Sequence, residues 1–293
     1  MHIICLSRKP NGYACRKLSE AADQRGCSFQ NLSPAELDVR IGDGLFQKTA
    51  GASEPFEMPE ACGCRLLPRL GALPAEHALA IVRQFEAASI RSVNRADAIQ
   101  RTRSKVHAYQ VLSDCSLPIP ETFVLANQRE LASVTDTLPG DKFIVKLPVG
   151  VQGIGVMLAE SRASLASILD TFWGLGELVL VQEYIESAHT DKRAFVVGNE
   201  VITCMQRSAR EGDFRSNTHL DGDCTAAELS DEEELLVVRA SQALNLDISG
   251  VDIAETDAGP VVLEVNQSPG FEALERVTGV DCAGVIMDYV VSF

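Results

Sequence analysis

Two apolar, β-branched runs near the end of the chain, "ISGVDIAET" from Ile248 and "VVLEVN" from Val261, carry carboxylates inside what read as buried strands. An unpaired carboxylate in a protein core is costly, so this pair of strands constrains the fold more than any other stretch. Taking Thr256–Pro260 as the connection pairs Glu255 with Val261 and sets Asp252 opposite Glu264. Strand alternation places Asn266 on the face of Glu264. Directly opposed residues share a face, so Asp252 joins them. Two carboxylates and an amide oxygen then converge. By themselves the carboxylates repel, and one would be driven towards protonation. A divalent cation removes the conflict, and hard oxygen ligands without His or Cys suit Mg2+ or Mn2+. The alternative is an exposed hairpin with solvated acids, against which the apolar residues on either side speak.

A second feature lies upstream. "VKLPVGVQGIGV" carries Gly150, Gly153 and Gly155 between two strands, with Lys146 on the strand leading in. Glycines let backbone N–H groups approach phosphates closely, and the lysine adds a charge that can reach one. The loop is neither a Walker A loop nor a dinucleotide fingerprint, which opens a helix. A third feature is cationic: Lys192, Arg193, Arg207, Arg210 and Arg215, with Asn217 beside them, fall in one stretch of a chain whose net charge is −15. Arginine binds carboxylate and phosphate in bidentate fashion. Ordinary surface ion pairs are the plainer alternative. The acidic surface repels polyanions, which argues against nucleic-acid or anionic-membrane binding by the chain as a whole.

The rest of the chain is an alternation of strand and helix signals typical of an α/β protein. "HIICLS" reads as a strand, and residues 13–26 as a helix with Leu18, Ala21 and Ala22 on one face. Residues 76–90 form a second helix, and residues 42–60 an irregular connection. Residues 95–115 read as one continuous helix ended by "SLPIPETF". Further on come a helix over 162–175, a buried strand "ELVLVQEYIE", a hairpin turning at Gly198-Asn199, a helix with a Ser230–Glu233 capping box and a closing helix from Cys282. Nine cysteines, odd in number and without paired knuckles, read as free thiols of a reducing compartment; Cys62 and Cys64 are a minor candidate pair. The N-terminus reads as a strand rather than a signal peptide, and no apolar run approaches a membrane span, so the expected address is the cytoplasm.

In order along the chain stand Lys146, "GIGV", "VQEYI", "EGDFRSN", "GVDI" and "EVNQSPG". Together they resemble the ATP-grasp superfamily, and within it the RimK-type α-L-glutamate ligases, which extend the C-terminus of a small-subunit ribosomal protein with glutamates. The likeness runs through nearly the whole chain, including "LSR" in the first strand and "IVRQFEAASIRSVN". It implies an α/β and α+β fold: a Rossmann-like N-terminal domain (1–93), a central ATP-grasp subdomain with a glycine-rich lid (94–186) and a C-terminal subdomain with the metal site (187–293). By position, Lys105 and Lys146 would contact ATP phosphates, with Gly153 and Gly155 in the lid. Glu183 and Tyr184 would meet the adenine edge through their backbone, and Asp191 would sit near the ribose. Arg215, Ser216 and Asn217 would face the phosphates, and Asp252, Glu264 and Asn266 would hold two Mg2+ or Mn2+ ions. Read without the resemblance, Lys105 is a helix-surface lysine and Asp191 a turn residue.

The implied activity is ATP-dependent carboxylate–amine ligation through an acyl phosphate. Lys146 and Arg215 would neutralise developing charge, and Arg193, Arg207 and Arg210 would bind the carboxylates of glutamate and of an acidic acceptor peptide or ribosomal protein tail. Self-association is left open. Three departures stand out: Val151 where these ligases often carry Thr, Gln267 where Ala is common, and a segment before Asp191 that is one residue short. They bear on the substrate, leaving a ligase for a small metabolite or natural-product peptide, an ATP-grasp kinase and a silent nucleotide-binding partner protein as rivals.

Overall fold

The computed structural model describes residues 1–49, 52–71, 75–126, 131–149, 155–209 and 223–292. Gly150, Val151, Gly153, Arg210, Arg215, Ser216 and Asn217 lie outside the described residues.

The N-terminal part comprises β1 (His2–Ser7), α1 (Tyr13–Gln24), β2 (Ser28–Leu32), β3 (Leu37–Arg40), β4 (Gly44–Thr49), β5 (Ala52–Pro55), β6 (Cys64–Arg69), α2 (Ala75–Ala87) and β7 (Arg91–Ser92). Four of these strands form a parallel sheet in the order β2-β1-β6-β7. Ile3, Ile4, Cys5 and Leu6 are all fully buried, as both faces of a parallel sheet require. Residues 42–60, expected to be irregular, instead contribute β4 and β5 to an antiparallel sheet with β3. These strands are too short, and too rich in polar residues and proline, for alternation to show. Leu37 and Leu45 nevertheless tie them to the core under α2.

The middle of the chain holds α3 (Ala96–Arg103), α4 (Lys105–Asp114), β8 (Thr122–Leu125), α5 (Leu131–Thr137), β9 (Phe143–Lys146), β10 (Val156–Ala159), α6 (Arg162–Gly174) and β11 (Val179–Glu183). The strands form an antiparallel sheet in the order β10-β9-β11-β8. The single helix expected over 95–115 is broken. Ser104 leaves helical geometry (φ −87°, ψ 109°) and its hydroxyl accepts the His107 N–H at 3.2 Å, capping α4. Serine competes with the helix for such a donor and favours caps. Lys105 is therefore the first residue of a new helix, not a mid-helix surface lysine.

The C-terminal part comprises β12 (Thr190–Val197), β13 (Glu200–Ser208), β14 (Asp223–Ala226), α7 (Asp231–Ala243), β15 (Ile248–Thr256), β16 (Gly259–Asn266), α8 (Glu272–Thr278) and α9 (Cys282–Ser292). The strand order is β14-β13-β12-β15-β16, antiparallel throughout. The turn between β12 and β13 falls at Gly198-Asn199, and the Ser230–Glu233 capping box is present. One face of this sheet, with Ala194, Val196, Val251, Ile253 and Val265, packs on α4 and α7. The other carries Phe195, Met205 and Ile248 into a core shared with α1 and α9. All nine cysteines are free; Cys62 is exposed while Cys64 is buried.

Candidate nucleotide and metal site

The β15–β16 register places Asp252 opposite Glu264 and Gly250 opposite Asn266. The route differs from the simple count. The turn is tighter than expected, with Thr256 opposite Gly259 and Glu255 opposite Pro260, which would shift Asp252 by one position. A bulge at Leu263 restores it. The bulge also lets Val262 and Val265 both enter the core behind the sheet while Glu264 faces the other way, the re-aiming of a side chain for which bulges are suited.

On that face the charges interlock. Asp252, 2 % exposed, receives both Nε and Nη2 of Arg193 at 2.6 Å each. Nη2 of Arg207 lies 3.0 Å from the second Asp252 oxygen. Arg207 also forks onto Asp191, with Nε 2.7 Å from Oδ1. Burial disfavours the Asp252 carboxylate, but the charges of Arg193 and Arg207 outweigh it and hold the group below the usual carboxylate range. Burial likewise opposes charge on Arg207, and Asp252 and Asp191 overcome it. Asp191 is 3 % exposed on β12, part of this network rather than of a turn.

Across the site, Lys105 Nζ lies 2.5 Å from Glu264 Oε1. Burial alone would lower the Lys105 pKa, and the Glu264 charge and hydrogen bond raise it instead. Lys146, at the end of β9, donates to Gln182 Oε1 at 2.6 Å and to the Tyr109 hydroxyl at 3.0 Å. Tyr109 in turn donates to the Leu263 carbonyl at 2.6 Å, so the bulge and the lysine are joined through one phenol. The Lys105 N–H donates to Pro148 O at 2.9 Å, fixing the start of α4 to the segment after β9. At the end of β11, the Glu183 carboxylate accepts from the Glu121 N–H at 2.8 Å. The Tyr184 hydroxyl is 2.7 Å from His189 Nε2, and Lys142 Nζ is 5.3 Å from the Tyr184 ring.

The structure thus gathers Lys105, Asp252 and Glu264 from three separate elements, and sets Lys146 beside them through Tyr109. Sequence reasoning assigned no role to Tyr109 or Gln182: the first reads as a helix-core aromatic, and the second, although inside "VQEYI", as one polar residue in an apolar strand. Arg193 and Arg207 are engaged by the protein's own carboxylates, so a substrate carboxylate would have to share them. Among the described residues no three His, Cys, Asp or Glu side chains are placed to hold a metal ion. A divalent ion would rely on the two carboxylates and Asn266, whose side-chain amide nitrogen is buried with no partner among the described residues. The all-oxygen donor set, two carboxylates and the Asn266 amide oxygen, fits a hard cation.

The RimK-like ATP-grasp domain family matches residues 102–290, and the RimK pre-ATP-grasp domain family matches residues 1–99. The chain belongs to the RimK-like ATP-grasp family. A relative from Klebsiella pneumoniae (strain 342), named a probable alpha-L-glutamate ligase, is 38% identical over 291 residues, covering 99% of this chain and 95% of its own. A relative from Escherichia coli O139:H28 (strain E24377A / ETEC), named ribosomal protein bS6--L-glutamate ligase, is 37% identical over 294 residues with the same coverage of each chain. The solved structure of the ATP-grasp ligase PsnB with a minimal precursor superposes with a TM-score of 0.75 at 19% identity, covering 99% of this chain and 98% of that one, which shows a shared fold. The resemblance seen in the motifs is borne out over the full length. Among the described residues no helix is long and apolar enough to cross a membrane.

Proposed function

We propose that this chain is an ATP-dependent ligase that adds L-glutamate to the C-terminus of a protein or peptide. The observation that carries the proposal is full-length identity of 37–38% to relatives named glutamate ligases, on a chain whose Asp252, Glu264, Lys105 and Lys146 converge. A carboxylate oxygen of the acceptor attacks the γ-phosphorus of ATP; the bond to the β-phosphate oxygen breaks and ADP leaves. The glutamate nitrogen then attacks the acyl carbon, inorganic phosphate departs, and the nitrogen gives up a proton as the amide forms. Such transfers depend mainly on positioning and charge neutralisation. Asp252, Glu264 and Asn266 would hold one or two Mg2+ or Mn2+ ions, which when bound supply positive charge to the phosphate oxygens.

The chain's own residues do the rest. Lys146, oriented by Gln182 and Tyr109, would present its ammonium to phosphate, and Lys105, held on Glu264 in this structure, would turn its ammonium to phosphate. The Lys105 backbone tie to Pro148 anchors the base of the glycine hairpin, whose closure would exclude water from an acyl phosphate prone to hydrolysis. Arg215, Ser216 and Asn217 remain assigned to phosphate, Gly153 and Gly155 to the lid, Glu183 and Tyr184 to the adenine edge, and Asp191 to the ribose side. Arg193, Arg207 and Arg210 remain assigned to substrate carboxylates. The division into 1–93, 94–186 and 187–293 and a cytoplasmic address belong to the same reading.

The test is incubation with ATP, Mg2+, glutamate and peptides ending in glutamate, read by mass spectrometry. Peptide masses rising by whole glutamyl residues support the assignment. Unchanged peptides, with ADP released only when free amino acids or small acids are supplied, would move the chain to small-metabolite ligation.

A further inference from the structure

The segment running out of the end of β16, Asn266–Gly270, is gripped by two residues of the first hundred to which no motif gave a role. Arg69, at the end of β6, donates from Nη2 to the Pro269 carbonyl at 2.5 Å, and its guanidinium carbon lies 5.5 Å from the Phe271 ring centroid. Asn94, just beyond β7, is 2 % exposed and sits in the left-handed region at φ 61°. Its side-chain NH2 donates to Ile248 O at 2.7 Å and to Gln267 O at 2.8 Å. Its oxygen accepts the N–H groups of Asp247 at 2.7 Å and Ile248 at 3.0 Å. Two carbonyls and two N–H groups admit only one orientation of the amide, so every hydrogen-bonding position of Asn94 is used and none is exchangeable. The same four bonds tie the start of β15, which carries Asp252, to the end of β16, which carries Asn266.

On the opposite side the segment is fixed by packing. A Cβ added to Gly250 would meet Pro269 Cβ at 2.7 Å, so the backbone of β15 and the Pro269 ring are in direct contact. Asn266, opposite Gly250, has its side-chain amide nitrogen buried without a partner among the described residues. No side-chain hydrogen bond therefore orients Asn266 from its amide nitrogen, and its backbone position is left to do so.

We propose that Arg69 and Asn94 are positioning residues for the metal site: they hold Asn266 in place through the carbonyls of Pro269 and Gln267. This rests on Asn266, Asp252 and Glu264 being the metal ligands. The N-terminal unit thus tunes metal affinity in the C-terminal sheet without touching metal or nucleotide. Partners that orient metal ligands typically change affinity by about 10- to 100-fold when removed.

The experiment measures Mn2+ binding to the full-length protein by the electron paramagnetic resonance signal of free Mn2+, without ATP, in Arg69→Gln, Arg69→Lys, Asn94→Asp and Asp252→Asn. Asn94→Asp keeps the acceptors for Asp247 and Ile248 and loses the donors to Ile248 and Gln267. The expected result is Mn2+ affinity about tenfold weaker in Arg69→Gln and Asn94→Asp, with Arg69→Lys recovering much of the loss because an ammonium still reaches Pro269 O. Each protein's circular-dichroism spectrum and unfolding midpoint are recorded alongside. If one variant fails to fold, the other Arg69 or Asn94 variant decides. Wild-type affinity in every folded variant overturns the positioning role. Affinity lost equally in Arg69→Lys and Arg69→Gln, in step with lost stability, overturns it in favour of a purely structural role. Asp252→Asn separates the two claims: undiminished Mn2+ binding there sinks the metal-site assignment itself.

Discussion

Lys105 and Glu264, 159 residues apart in the chain, meet with the ammonium nitrogen 2.5 Å from a carboxylate oxygen. One carboxylate on the Asp252–Glu264 pair is thereby neutralised by a lysine and the other by arginines. The protein supplies its own cations to these carboxylate oxygens. A divalent ion bound there, as proposed, would have to displace or re-aim them.

Replacing Lys105 with Met should separate metal binding from turnover. Mn2+ binding without nucleotide should tighten, because Glu264 loses its internal competitor. Turnover should fall about a hundredfold, because the cation proposed to meet phosphate is gone. Spin-resonance titration and steady-state kinetics check the two halves; wild-type values in both would remove Lys105 from the site.

Arg193→Met leaves the buried Asp252 carboxylate with Arg207 as its remaining cation. Losing one partner of a buried pair costs about 3 kcal/mol or more, because the survivor stays desolvated. Urea unfolding should show a loss of that order. The double variant Arg193→Met/Asp252→Asn should be less destabilised than the sum of the single changes. Strict additivity would mean that the fork contributes nothing as a pair.

The depressed pKa of Asp252 carries a pH signature. The unfolded carboxyl titrates near 3.9, and the folded one lower, so in that window the unfolded state binds more protons and stability rises with pH. The contribution is fully present above about pH 4 and is lost as pH falls through the folded pKa. Urea midpoints followed down to about pH 3 should fall more steeply in wild type than in Asp252→Asn. Parallel curves would mean that Asp252 is not held ionised by its neighbours.

Gly250→Ala places a methyl where Pro269 already stands. A ring fixed through its backbone cannot swing aside, so the substitution should destabilise by about 1–3 kcal/mol and weaken Mn2+ binding as the Asn266 segment is pushed away. Chemical unfolding and Mn2+ titration test this. A neutral result would show that the segment moves freely.

Much of the site was legible in the chain. Alternation in "VVLEVN" put Glu264 and Asn266 on one face, and the opposition of Asp252 followed from the hairpin. Two deviations of one residue, in the turn and in the bulge at Leu263, cancel, so the correct pairing emerged from an incomplete count. The break at Ser104 was not legible, because helical periodicity continues across it while only the cap geometry interrupts it. Nor were β4 and β5, whose short, polar strands show no clear alternation.

Local pattern determined most strands and helices and the faces on which the acids lie, because periodicity is a property of neighbours along the chain. The order of motifs determined the family. Tertiary structure alone decided which charges meet: Lys105 on Glu264, Arg193 and Arg207 on Asp252, Arg69 and Asn94 on the Asn266 segment. Those contacts join residues up to 200 positions apart. They depend on how three sheets pack against one another, which no spacing within a single element encodes.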